Sequence, residues 1–187
     1  VRKLTATPIV PAGVVHAATL KTGPVAPGEI VIVKGVSIGP AQTAGMQVTG
    51  AGALSTTLAG SQVQFDGIPA ALISAQADQI TAIVPYAVAG QSSTQLQIVV
   101  NGVRTNTISI PVVSASPGIF TQDSSGKGAG VILNADSSVN SPSNPADRGS
   151  LVTISATGEG QTNPPGMDGL LASDMPPSPA AEVSVQI

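Results

Sequence analysis

Gly35-Val36-Ser37-Ile38-Gly39 has the G-x-S-x-G spacing of a nucleophile elbow, a strained strand-to-helix turn that exposes a serine hydroxyl for acyl transfer. The residues after it, Pro40-Ala41-Gln42-Thr43-Ala44-Gly45, make a poor helix. The single histidine, His16, precedes the serine, whereas in the elbow fold it follows. The pentapeptide therefore reads as the turn after a core strand. His16 cannot build a zinc site without cysteine or a second histidine, and reads as a hydrogen-bonded strand residue. Asp123-Ser124-Ser125-Gly126-Lys127-Gly128 has a faint calcium-loop look, but Lys127 stands at a ligand position and no distal Glu follows. Asp136, Ser138 and Asn140 alternate better, with Asp147 near, and are weighed against a plain Asx-turn loop. Glu159, Asp168 and Asp174 lie in a Gly/Pro-rich stretch that offers no rigid frame for paired carboxylate chemistry. Tyr86, Phe65 and Phe120 are too few for a sugar-stacking platform and read as core or corner residues. No catalytic residue, metal ligand or cofactor site is expected.

The elements around these residues are strands. Long helices draw on Ala, Leu, Glu, Lys and Arg, and only Ala is plentiful here. Short β-branched runs are punctuated by 21 Gly and 16 Pro, which points to an all-β chain. The formal charge of −3, with seven scattered basic residues, excludes the cationic stripe that nucleic acid requires. No apolar run reaches the roughly 18 residues of a membrane span. A Cys-free, Lys-poor, Ser/Thr-rich β-chain beginning at Val1 fits an exported bacterial protein whose signal peptide has been removed, at the cell surface or outside the cell.

Residues 1–12, with Pro8 and Pro11, read as an extended arm presenting Leu4, Ala6, Pro8 and Val10 on one face. Residues 13–113 read as one sandwich. Its strands are expected at Val14–Leu20, Glu29–Val36, Met46–Thr49, Gln62–Phe65, Ala71–Ser74, Gln79–Val84, Thr94–Val100 and Val103–Val113. Asn101-Gly102 predicts a two-residue type I′ hairpin. Residues 114–187 open a second unit. A hairpin is expected at Gly118–Thr121 with Gly130–Leu133, then a polar loop over Asn134–Arg148 and a strand at Leu151–Thr157. A loop over Gly158–Pro179 leads to a last strand at Ala181–Ile187, with Val183, Val185 and Ile187 on one face.

The strand-and-turn pattern of residues 28–113 restarts near Gly149 and is only half repeated at Ile187. The expectation is two tandem immunoglobulin-like β-sandwiches, the second incomplete. The chain is then either a piece of a longer one, or a neighbouring chain completes the second sandwich. Each missing strand would withhold three or four inward apolar side chains, each worth about 1.5–3 kcal/mol when buried.

Four blocks of the first unit carry a family resemblance. They are Pro27-Gly28-Glu29-Ile30-Val31-Ile32-Val33-Lys34-Gly35, Val63-Gln64-Phe65-Asp66-Gly67-Ile68-Pro69-Ala70, Gln79-Ile80-Thr81-Ala82-Ile83-Val84-Pro85 and Val99-Val100-Asn101-Gly102. In order and spacing they resemble an IPT/TIG immunoglobulin-like domain. Gly13-Val14-Val15-His16-Ala17-Ala18, Pro117-Gly118-Ile119-Phe120-Thr121, Asn140-Ser141-Pro142-Ser143-Asn144-Pro145-Ala146 and the stretch from Ala156 to Pro165 extend the likeness. Together the blocks resemble a paralogous C-terminal domain of acidobacterial secreted proteins, in which Asn is usual at the place of His16 and the domain usually runs further. The resemblance implies export and sandwich architecture, and no activity.

The function expected is non-enzymatic and structural: a surface-filament subunit that polymerises by inter-subunit β-strand complementation. Residues 1–11 would be the donor, and Leu4, Ala6, Val10, Val183, Val185 and Ile187 the assembly residues. The alternative is an Ig-like spacer or carbohydrate-binding module of a larger secreted enzyme or adhesin, with a glycan as partner.

Overall fold

The computed structural model describes residues 8–171 and 176–185. The chain is all-β, with no α-helix among the described residues. The first strands are β1 (Val14–His16), β2 (Ile30–Lys34), β3 (Ala44–Gly45), β4 (Ser61–Phe65) and β5 (Ile68–Pro69). They are followed by β6 (Ala71–Ala75), β7 (Gln79–Ile83), β8 (Ser93–Val100), β9 (Val103–Arg104) and β10 (Ile108–Pro111). One sheet has the order β1-β2-β7-β6-β3; the other runs β10-β8-β4-β5, with β9 paired to β8, and the named ladders are antiparallel.

Alternation decides which side chains meet between the sheets. Val31 and Val33 of β2, Ile80 and Ala82 of β7, and Leu72 of β6 face Val63 and Phe65 of β4 and Leu96 and Ile98 of β8. All nine are fully buried. Asn101 (φ +48°) and Gly102 (φ +81°) form the expected type I′ hairpin between β8 and β9. Asp66 (φ +51°) and Gly67 (φ +81°) make the same turn between β4 and β5. The Asp66 carboxylate accepts hydrogen bonds from the Thr94 hydroxyl (2.6 Å) and the Gln95 N–H (2.9 Å), which pins that hairpin to β8.

Several boundaries differ from expectation for local reasons. The Val103–Val113 run breaks at Thr105, whose hydroxyl accepts from the Ile98 N–H (3.0 Å) and donates to the Asn106 carbonyl (2.9 Å). In the arm, Ile9 rather than Val10 turns inward. Its N–H and carbonyl are both held by the Asn106 amide (2.7 and 2.9 Å), its side chain is buried in the sandwich core, and Val10 is 57% exposed. The face expected to carry Val10 is therefore the outward one at this point, and Ile9 ties the arm to the sandwich.

Beyond residue 113 the strands are two residues long: β11 (Gly118–Ile119), β12 (Ile132–Leu133), β13 (Thr153–Ile154), β14 (Ala156–Thr157), β15 (Thr162–Asn163) and β16 (Ser178–Pro179). They pair as β11–β14, β12–β13 and β15–β16. The expected strand at Leu151–Thr157 divides at Ser155. There the backbone changes partner, its N–H going to Val131 and its carbonyl accepting from Phe120. The expected hairpin segments do meet, through a bridge between Thr121 and Gly130 and a bond from Val131 N–H to the Phe120 carbonyl. The last strand expected, Ala181–Ile187, is absent over 181–185; pairing falls instead on Ser178–Pro179, and Ile187 lies outside the described residues.

Candidate functional site

The near-continuous apolar run of β2 is explained by what covers its second face. Val31 and Val33 point into the sandwich, while Ile30 and Ile32 point out, and the segment from residue 114 onward lies over them. Ile30, Ile32, Ile73 and Phe120 line a cavity of about 330 Å³ at this seam. The seam is held at a few polar points. The Thr157 hydroxyl accepts from the Ile30 N–H (2.9 Å), across 127 residues of chain. The Leu54 N–H donates to the Gly169 carbonyl (2.7 Å), and Ala53 bridges Leu170.

His16 is the central link. Its Nδ1 faces the N–H groups of Ala18 (3.0 Å) and Thr19 (3.3 Å), so it is the acceptor. The proton then sits on Nε2, which donates to the Ser116 carbonyl (2.9 Å). Gly118 packs against the ring, leaving no room for a Cβ there. Both ring nitrogens are thus occupied by structure. Ser37 has a left-handed φ of +56°, as an elbow serine does, but no helix follows it and the one histidine is committed elsewhere.

The loop after β14, expected to lack a rigid frame, is docked over its described part. The Asp168 carboxylate accepts from the Tyr86 N–H (2.6 Å). Tyr86 lies against the backbones of Gly28 and Gly166, where no Cβ would fit. Burial raises the Tyr86 phenol above its ordinary pKa, helped by the negative charges of Glu159 and Asp168. Asp168→Ala should leave the sandwich intact and speed hydrogen exchange at the Tyr86 amide roughly tenfold, as expected for losing one charge-assisted hydrogen bond. Unchanged exchange, read by NMR, would mean that this contact does not hold the loop.

Close by, Glu29 is only 1% exposed. Its carboxyl receives one hydrogen bond, from the Ala26 N–H (2.8 Å). Burial pushes its pKa from 4.5 up to about 7, partly opposed by that bond.

The calcium candidates resolve into turns. Asp123 accepts from the hydroxyl (2.8 Å) and N–H (3.1 Å) of Ser125, and Asp136 likewise from Ser138 (2.6 and 2.9 Å). These bonds, the serine hydroxyl first in each case, hold both carboxyls below the usual range. Asn140 bonds to Asn134, and Asn144 ties Ser138 to the Val139 carbonyl. Among the described residues no three acidic or histidine side chains cluster as a metal site.

Of the assembly residues expected from sequence, Leu4, Ala6 and Ile187 lie outside the described residues, as does Asp174. Val183 and Val185 are 65% and 57% exposed. Val183 lines a mostly apolar cavity of about 380 Å³ with Pro117, Ala156, Thr157, Glu159 and Glu182. Within the described residues, the backbone of Ala181–Val185 finds no hydrogen-bond partner.

Fold and seam together define an all-β sandwich that carries a weakly paired C-terminal segment on the outer face of one sheet. No protein-family model, no curated protein and no solved structure matches the chain.

Proposed function

We propose that this chain is a non-enzymatic structural β-protein, exported to the cell surface or beyond, of the IPT/TIG immunoglobulin-like kind. It polymerises by taking an extended segment of a neighbouring copy alongside its C-terminal segment. One observation carries the reading. Every buried apolar side chain among the described residues lies between Ile9 and Ile110, while beyond residue 113 Leu151, Val139, Val183 and Val185 are exposed, Leu151 at 84%. Two-residue ladders with open edges and no apolar core are what strand addition completes.

The ends of the sandwich support a head-to-tail arrangement. The arm is anchored by Ile9 and Gly13, at the Asn106 and Lys34 end. The segment 181–185, unpaired among the described residues, lies by Thr157 and Pro117, at the Ile30 and His16 end. The length of β2, about 13 Å for four steps, separates them. Donor and acceptor at opposite ends make a head-to-tail contact, which extends into an open filament unless its rotation closes a ring. The alternative, a glycan-binding module, has less support: stacking on a sugar needs an open ring face, and Tyr86 lies against two glycine backbones.

Deleting residues 1–7 keeps the Ile9 anchor and should abolish assembly. Multi-angle light scattering should then find a monomer near the 18 kDa of the chain where the full chain gives polymers. Polymers of equal length from both would exclude the arm as donor.

A further inference from the structure

We propose that the acceptor is the cavity between Pro117, Ala156–Thr157 and Glu182–Val183, and that its occupant is Val1–Thr7 of a second copy, steered by charge. This rests on the strand-complementation reading. The cavity wall is apolar apart from a few polar groups, two of them the carboxylates Glu159 and Glu182, and among the described residues no Lys or Arg lines it. Both carboxylates are exposed, so neither is engaged in the core.

Val1-Arg2-Lys3-Leu4-Thr5-Ala6-Thr7 is the complementary sequence. Only there are two basic residues adjacent, accounting for two of the seven in the chain, and no acidic residue precedes Glu29. Leu4 and Ala6 alternate with Lys3 and Thr5, so an extended segment offers one apolar face to the cavity. The backbone of Ala181–Val185, without a hydrogen-bond partner among the described residues, supplies donors and acceptors for a new ladder, which gives affinity. The opposed charges give register and encounter rate, and make both sensitive to salt.

The test is a charge exchange in the full chain. Arg2→Glu with Lys3→Glu should slow polymer growth at low salt at least tenfold. Glu159→Lys with Glu182→Lys should do the same, and the four substitutions together should restore growth. In parallel, a synthetic peptide of residues 1–7 is titrated into the chain lacking those residues. It should shift the NMR signals of Ala156, Thr157 and Glu182–Val185, and bind about tenfold more weakly to Glu159→Gln/Glu182→Gln. If the native chain polymerises and neither exchange alters growth, the cavity and its charges are not the acceptor, while strand complementation survives. If the native chain stays monomeric and the peptide does not bind, both are overturned.

Discussion

Gly158→Ala is expected to release the C-terminal segment from the sandwich while the sandwich itself stays folded. Gly158 has φ +88°, a conformation that costs a residue with a Cβ about 1–2 kcal/mol. The added methyl would also overlap the Ser116 carbonyl oxygen and come within 3.3 Å of His16 Nε2. That carbonyl accepts the His16 proton (2.9 Å), and the Ser116 N–H donates to the Gly158 carbonyl (2.7 Å), so moving it loosens both bonds. With each bond worth about 1 kcal/mol, the total approaches roughly 3 kcal/mol. The Ile30 amide, bonded to Thr157, is the reporter. Its hydrogen exchange should rise about a hundredfold, while amides at Val63 and Ile98 of the core stay protected. Protection of Ile30 equal to the native chain would mean that the seam does not depend on this close approach.

Glu29→Gln should leave stability nearly unchanged at pH 4 and raise it at pH 8. The unfolded carboxyl titrates near 4.5 and the folded one near 7, because burial disfavours the charge. Between these values the unfolded chain binds fewer protons than the folded one, so native stability falls as pH rises through the window, then levels above it. The gap corresponds to at most about 3–4 kcal/mol at 1.36 kcal/mol per unit. Gln cannot ionise, and its amide oxygen still accepts from the Ala26 N–H. For a chain of this size each kcal/mol moves the melting temperature by roughly 2–4 °C. The melting curves of variant and native chain should therefore converge in acid and separate by several degrees at pH 8. A constant separation across pH would remove Glu29 as the cause.

The sandwich was legible because strands of period two bury alternate residues, as Leu96 and Ile98 do, and because Asn101-Gly102 tolerates the positive φ its turn requires. The placement of the C-terminal segment was not. Its strands are too short for periodicity to register, and its place is set by long-range contacts such as Thr157 to Ile30 that leave no local pattern. One signal was available: Ile30 and Ile32 alternate with Val31 and Val33, so β2 had to be covered on both faces. The Gly158 and Gly160 pair beside Glu159 was a second, since each approaches a carbonyl of residues 114–116. The anchoring role of Asp168 left no trace in the sequence because its partner is a backbone N–H, and every residue but proline has one.

Negative-stain electron microscopy of the purified 187-residue chain, with light scattering on the same sample, tests strand complementation most directly. Long unbranched fibres are predicted, lost when residues 1–7 are removed. A monodisperse particle of about 18 kDa at all concentrations would contradict it.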